Sequence, residues 1–177
     1  MLGLRRGSVQ LVPYSSEWAR LFEVERVRLG QVLHPYALDI QHIGSTAVPG
    51  LEAKPIIDFG IAVVDEAIVT ACVPRLTTLG YTYRGYRGAS QGYFFDLGPE
   101  QQLTHYLHML LIGDQGWQNY LRFRDYLRTH PDARAAYQQL KHDLVTQYAD
   151  DRAAYSAAKT TFVQAVLAAA ACAIDSC

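Results

Sequence analysis

Residues 42–63 read HIGSTAVPGLEAKPIIDFGIAV, and the two halves of this stretch decide how the surrounding chain folds. From position 55 to 63 the residues form a near-continuous apolar run, which is typical of a strand buried on both faces. Before it, apolar and polar residues alternate over 36–43 and predict a half-buried strand that ends at the turn Gly44-Ser45-Thr46. Asp58 is a carboxylate inside the apolar run, and its burial is costly unless a metal, a cation or several hydrogen-bond donors meet it. The stretch therefore predicts two strands joined by a loop, with a candidate functional residue on the second strand.

The flanking sequence predicts a mixed α+β fold. A helix begins at Ser15 or Ser16 and ends at Pro35, and a second helical segment covers 65–79. A hairpin with strands at 81–86 and 91–97 precedes a last strand at 103–112, and three helices follow, with the third spanning 151–173. We expect one domain over 1–177, in which 9–112 form a helix and a mixed β-sheet core and 114–174 form C-terminal helices. All the helices are expected to pack on one side of the sheet.

Composition narrows the class of protein. The 177 residues carry 16 Lys and Arg against 17 Asp and Glu, which gives a net charge of -1 and no general attraction to nucleic acid or anionic membranes. With 50% hydrophobic and 19% charged residues, the chain does not have the composition of a disordered protein. The apolar stretch 160–174 is shorter than the ~20 residues of a membrane span and predicts a buried C-terminal helix. No apolar run follows Arg5 and Arg6, so we expect a cytoplasmic protein without a secretory segment.

The Gly44-Ser45 turn is a candidate phosphate-binding element. A turn at the end of a strand offers backbone N–H groups and a hydroxyl, and glycine lets an anion approach the backbone closely. Gly-Ser turns are common between strands, so the turn alone is weak evidence of function. The nearby Asp58 strengthens the indication. The structural alternative for Asp58 is pairing with Lys54 or with a neighbouring backbone amide.

A Gly-Ser turn followed after 12 residues by an acid on a strand resembles the signature of the nucleotidyltransferase superfamily. The longer stretch 42–58 resembles the GrpB family more specifically. Further resemblances are Leu107-His108, the run FRDYLR at 123–128 followed by His130-Pro131, and the run YSAAK at 155–159. The resemblance covers residues 9–162 and implies a nucleotidyltransferase-like fold.

The resemblance also implies roles for particular residues. Asp58 would bind a divalent metal, preferably Mg²⁺, and would act with Ser45 in catalysis, while Gly44, Ser45 and Thr46 would cradle the phosphates of an NTP substrate. The superfamily signature places a second carboxylate at position 60, where this chain has Gly60. A further metal ligand could come from His108 or His105 on the last strand, or from Asp96 on the strand before it, and a histidine ligand would favour Mn²⁺ or Zn²⁺. The alternative for His108 is a hydrogen-bonded core histidine.

Four basic residues are the candidates for binding the phosphates, namely Lys54, Arg124, Arg128 and Lys159. Arg124 shares a helix face with Arg128 at a spacing of four, and salt bridges to nearby aspartates such as Asp125 are the alternative for both arginines. Lys159 is favoured because the chain contains only three lysines, two of which fall in the family motifs.

Two functions from different classes compete. The first is an enzyme that transfers a nucleotidyl group from an NTP to a small acceptor, which predicts that Asp58 faces a cleft with Ser45. The second is a non-catalytic nucleotide-binding or regulatory module linked to coenzyme A biosynthesis, since family members occur fused to dephospho-coenzyme A kinase; it predicts a salt-bridged, inaccessible Asp58. RNA binding by the Tyr- and Arg-rich segment 81–87 is least supported, because the chain has no accompanying basic surface.

Overall fold

The computed structural model describes residues 2–175, with side chains described up to residue 172. The helices are α1 (Glu17–Leu33), α2 (Glu66–Thr78), α3 (Gln115–Thr129), α4 (Pro131–Tyr148), α5 (Arg152–Ala158) and α6 (Thr160–Asp175). The strands are β1 (Asp39–Ile43), β2 (Ile57–Val63), β3 (Tyr81–Tyr86), β4 (Tyr93–Leu97) and β5 (His105–Leu111). A single 3₁₀ turn, Ser45–Ala47, follows β1.

The five strands form one mixed sheet in the order β1-β2-β5-β4-β3. The β2–β5 pair is parallel, whereas the other three pairs are antiparallel. The interior strand β2 is buried along nearly its whole length, as the apolar run predicts, and Asp58 near its start is only half-buried. The predicted mixed α+β fold is confirmed.

Helices cover both faces of the sheet, and the expectation that they pack on one side is wrong. On one face, Phe22 of α1 and Leu76 of α2 join the core cluster that contains Phe59. On the other face, Trp117 of α3 packs with Ala62 and Leu110. The reason lies in β2 itself, because a strand that is apolar on both faces needs a layer of side chains on each. Asp58 lies on the face covered by α3 and the C-terminal helices, since it alternates with Phe59 along the strand.

The third predicted C-terminal helix is two helices. Asp151 caps α5 by accepting a hydrogen bond from the Ala154 amide at 3.0 Å. The helix ends at Ala158, with Lys159 as its C-cap, and α6 begins at Thr160. The prediction that 160–174 is a buried helix is also wrong for its side chains up to residue 172, of which only Val166 and Ala170 are buried. Its alanines make the segment apolar in composition, but each buries little surface. Ala173 and Ile174 side chains, and residues 1, 176 and 177 of the predicted domain, lie outside the described part.

Across residues 2–175, no helix combines the length and the apolar character that crossing a lipid bilayer requires.

Candidate functional site

The Gly44-Ser45 turn lies directly beside Asp58. Ile43 at the end of β1 pairs with Asp58 on β2, so the chain turns at the position where the carboxylate projects. Gly44 has φ 71° and ψ -174°, a conformation that is essentially restricted to glycine. A Cβ at position 44 would lie 2.5 Å from Asp58 Oδ2, so glycine is needed for space as well. The two halves of the predicted motif are therefore in contact, as the nucleotidyltransferase signature implies.

Three basic side chains surround Asp58. The positive charges that act on its carboxyl group are those of Lys54, Arg152 and Lys159. All four residues are half-buried, and we call them the cationic site. Within the described part of the chain, no Lys or Arg nitrogen lies within 4.0 Å of the Asp58 carboxylate. The direct ion pair with Lys54, one of the structural alternatives for Asp58, is thus not formed, and the four charges act on one another without direct contact.

Aromatic rings hold these cations without neutralising them. Tyr106 on β5 pairs with Asp58 across the sheet, and the Arg152 guanidinium lies 4.2 Å from its ring centroid. Arg152 Nη1 also donates a hydrogen bond to the Tyr106 hydroxyl at 2.9 Å. Lys54 Nζ lies 5.8 Å from the same ring, and Lys159 Nζ lies 4.3 Å from the ring of Tyr155. Cation–π contact orients a side chain but leaves its full charge available to an anion.

Burial and neighbouring charges shift the pKa values of Lys54, Lys159 and Asp58. Burial, assisted by the charges of Arg152 and Lys159, lowers the pKa of Lys54 to about 7. Burial lowers the pKa of Lys159 to about 8, against the opposing attraction of Asp58. Burial also raises the pKa of Asp58, although the neighbouring cations pull it down. Such pKa shifts are typical of functional sites, where charged side chains are buried without forming ion pairs with one another.

His108, predicted as a metal ligand, is a buried and hydrogen-bonded histidine. Its Nδ1 lies 3.0 Å from the Gln91 carbonyl oxygen and 3.2 Å from the Tyr120 hydroxyl. Because a carbonyl can only accept, Nδ1 carries the proton and the lone pair resides on Nε2. Burial lowers the pKa of His108 to about 4, so the ring is neutral near pH 7. His108 pairs with Gly60 across the sheet and therefore lies on the same face as Asp58.

Position 60 has no room for a second carboxylate. A Cβ at Gly60 would lie 3.1 Å from Trp117 Cζ3 and 3.2 Å from Ile43 Cγ2, so any longer side chain would have to displace the core. No group of three or more His, Cys, Asp or Glu residues among the described ones is arranged to hold a metal ion. Asp58 is thus a lone carboxylate among cations, and this donor set does not fit a divalent metal held by the protein.

The remaining members of the predicted phosphate cradle differ in accessibility. The half-buried Ser45 hydroxyl interacts with the phenol of Tyr137 beside Asp58. Thr46 is buried, and its Oγ1 lies 3.0 Å from His42 Nε2, so its side chain holds the turn to β1. The structure brings Gly44 and Ser45 to the site, whereas the Thr46 hydroxyl is already engaged.

Arg124 is not among the charges that act on Asp58. Its Nη1 donates to Gln41 Oε1 at 2.8 Å and to the His42 carbonyl at 3.0 Å, while Nε and Nη2 donate to the Asp125 carboxylate. Arg128 donates to the Ala47 carbonyl at 2.9 Å and also pairs with Asp125. The salt-bridge alternative therefore describes both arginines, which anchor α3 to β1 and to the turn.

Two features of the site were missed by sequence reasoning. Arg152 lies seven residues before Lys159 and three before Tyr155, a helical spacing that could have placed it with them. Lys141 on α4 is 1% exposed; its Nζ donates to the Glu52 carbonyl oxygen and lies 5.1 Å from the Tyr137 ring centroid. Burial lowers the pKa of Lys141 to about 7, with Lys159 as a further cause.

A separate polar groove lies between α1 and α3 and is lined in part by Arg26, Arg124 and Arg128. Its guanidinium groups already have acidic partners, since Arg26 pairs with Glu23 and the other two pair with Asp125. The groove therefore has less unsatisfied charge than the cationic site.

Comparison with known proteins places the chain in a family. Residues 8–169 match the family described as GrpB protein. The glutamate-rich protein GrpB of Alkalihalophilus pseudofirmus is 36% identical over 173 residues, which cover 94% of this chain and 98% of that protein. The UPF0157 protein YqkA of Bacillus subtilis is 35% identical over 156 residues, which cover 88% of this chain and 45% of that protein.

A dephospho-CoA kinase of Mycolicibacterium paratuberculosis is 30% identical over 182 residues, covering 88% of this chain and 44% of that protein. The chain thus spans less than half the length of this kinase and of YqkA. The crystal structure of the conserved protein GrpB of Enterococcus faecalis matches this fold with a TM-score of 0.82 at 33% identity, covering 91% of this chain and 96% of that one. Sequence and fold agree, and the chain belongs to the GrpB family.

Proposed function

We propose that this chain binds a nucleoside triphosphate or another phosphorylated small molecule at the cationic site. The observation that carries the proposal is the group of three basic side chains, Lys54, Arg152 and Lys159, which have no ion-pair partner among the described residues. Unpaired cations at a half-buried position attract an anion, and charge-assisted hydrogen bonds to phosphate oxygens are strong. The adjacent Gly44-Ser45 turn lets a phosphate approach the backbone.

A panel of phosphorylated compounds tests this proposal by thermal shift and by isothermal titration calorimetry. The panel holds the four common NTPs, pyrophosphate and dephospho-coenzyme A, each with Mg²⁺ and with EDTA; the last compound tests the link to coenzyme A biosynthesis. Binding at 100 times the Kd adds about 2.7 kcal/mol to the unfolding free energy and should raise the midpoint by about 2–4 °C.

Matched charge variants locate the binding. Lys159→Gln should weaken the binding by about tenfold or more, because it removes one of three cations. Arg26→Gln, on α1 in the separate groove, should leave the affinity unchanged. The proposal fails if none of the compounds binds in either buffer, or if the two variants weaken the binding equally.

Nucleotidyl transfer is a second candidate, favoured by the unprotonated Nε2 of His108 on the Asp58 face of the sheet. In this reaction the acceptor's hydroxyl oxygen would form a bond to the α-phosphorus of the NTP, and pyrophosphate would leave with the bridging oxygen. His108 Nε2 would take the proton of the hydroxyl. Release of pyrophosphate from the bound NTP, measured against a panel of small alcohols, separates transfer from a non-catalytic binding or regulatory role. His108→Gln should abolish the release while leaving the affinity for the NTP within about twofold.

A further inference from the structure

Among the residues that the structure describes, the sheet face around Asp58 offers a metal ion one carboxylate without an ion-pair partner, that of Asp58 itself. Magnesium bound with substrate phosphates uses one or two carboxylates of the protein. Trp117 fills the space beside Gly60, where a second carboxylate would stand. Asp96 lies on the same face but accepts hydrogen bonds from Arg6 at 2.9 Å and from Arg84 at 3.0 Å. Its negative charge is therefore already neutralised.

The cations at the site act against a divalent ion and in favour of an anion. Lys54, Arg152 and Lys159 all act on Asp58, so an ion at its carboxylate would meet three positive charges at close range. A phosphate in the same place would meet the N–H donors of two ammonium groups and one guanidinium group. Arg152 uses Nη1 on the Tyr106 hydroxyl, and no side chain among the described residues takes up its Nε or Nη2. Guanidinium N–H pairs of this kind match phosphate oxygens.

From this donor set we propose that the cationic site binds the phosphates of its ligand directly through Lys54, Arg152 and Lys159, without a divalent metal ion held by the protein. This inference rests on the proposed function and names how that site recognises its ligand. The three cations take the neutralising role that a metal has in the nucleotidyltransferase signature. A phosphate also favours protonated lysines, so ligand binding takes up protons near pH 7.

Titration with inorganic pyrophosphate, in EDTA and in Mg²⁺, tests the inference directly. We expect binding in EDTA to be at least as tight as in Mg²⁺, because Mg²⁺ reduces the charge of the ligand. The binding enthalpy at pH 7.5 should change with the ionisation enthalpy of the buffer, which reports the proton uptake. Binding that is tenfold or more tighter in Mg²⁺ overturns the inference and leaves the proposed function intact. Failure of pyrophosphate to bind in both buffers, when an NTP or dephospho-coenzyme A does bind, also overturns it.

The variant Asp58→Asn should change the affinity for pyrophosphate in opposite directions, depending on whether Asp58 holds a metal ion. Without a metal, removal of the negative charge should tighten pyrophosphate binding in EDTA by about threefold to tenfold. If a metal is held by Asp58, the same variant should lose binding in Mg²⁺, which contradicts the inference. Asp132→Asn, exposed on α4, is the matched control and should not change the affinity. If Asp58→Asn fails to fold, Lys54→Gln must weaken binding in EDTA for the inference to stand.

Discussion

At the scale of single residues, Gly44 joins the backbone geometry of the turn to the chemistry of the site. Its dihedral angles suit glycine alone, and the absent side chain leaves the space that Asp58 Oδ2 occupies. Both the conformation of the turn and the position of the Asp58 carboxylate therefore require a residue without a side chain at position 44. A larger residue at this position would disturb the fold and the cationic site together.

Gly44→Ala should lower the free energy of unfolding by about 2–4 kcal/mol, from backbone strain and from the displaced carboxylate. Gly50→Ala is the matched control, since Gly50 also has a positive φ of 78° but a Cβ there would meet no atom within 4 Å. It should cost about 1–2 kcal/mol, which is the backbone strain alone. Urea unfolding of both variants measures the difference; equal losses would show that the contact with Asp58 is unimportant.

At Gly60, too, close packing leaves no space for a side chain, and this excludes a second carboxylate beside Asp58. Gly60→Ala places a Cβ against Trp117 and Ile43 and should destabilise the fold by about 1–3 kcal/mol through overpacking. Gly30→Ala, inside α1 with open space around it, should instead stabilise by about 0.5–1 kcal/mol. A stabilising Gly60→Ala would mean that the space beside Trp117 is open to a larger side chain.

Part of the cationic site could be predicted from the sequence because its residues belong to one short motif. Gly44, Ser45, Lys54 and Asp58 fall within 15 positions of one another, and their contacts follow from two adjacent strands. Arg152 could not be placed in this way, since its partner Tyr106 is 46 positions distant along the chain. Arg124 was predicted to bind phosphate because its charge is visible in the sequence, whereas its partners Gln41 and His42 are not.

At the scale of elements, the break between α5 and α6 shapes the site. Lys159 is the C-cap residue between α5 and α6, and its Nζ lies beside the ring of Tyr155 one turn earlier. A continuous helix over 151–173 was predicted because no glycine or proline interrupts the segment. The interruption comes from packing, since α6 turns to contact α3. Tertiary contacts of this kind override helix propensity.

Helix α4 contributes a buried lysine, and this has a consequence for stability. The pKa of Lys141 falls to about 7 in the folded protein from an ordinary value of 10.5. Between these values the unfolded chain binds more protons, so the free energy of unfolding should rise with pH from 7 towards 9. Lys141→Met should reduce that slope by up to about 1.4 kcal/mol per pH unit.

Arg134→Met on the same helix is the control for this experiment, because a guanidinium stays charged throughout the range and its removal should leave the slope unchanged. Urea unfolding at pH 7, 8 and 9 gives the three slopes. Equal slopes in wild type and Lys141→Met would show that the ammonium group keeps its ordinary pKa in the folded state.

At the scale of the whole molecule, the sequence predicted the mixed α+β fold and the order of strands and helices along the chain as far as α4. It failed on the second helical layer, because the pattern of β2 shows that both faces are buried but not which segments bury them. Each face of the sheet has its own role. The face with Phe59 packs against α1 and α2, whereas the face with Asp58 packs against α3 and carries the half-buried cationic site.

The most direct test of the central claim is a crystal structure of the protein with bound pyrophosphate. We predict phosphate oxygens within hydrogen-bond distance of the Lys54 and Lys159 ammonium groups and the Arg152 guanidinium, next to Gly44. Pyrophosphate in the groove of Arg26 and Arg128, with the cationic site empty at a concentration that saturates binding in solution, would contradict the account.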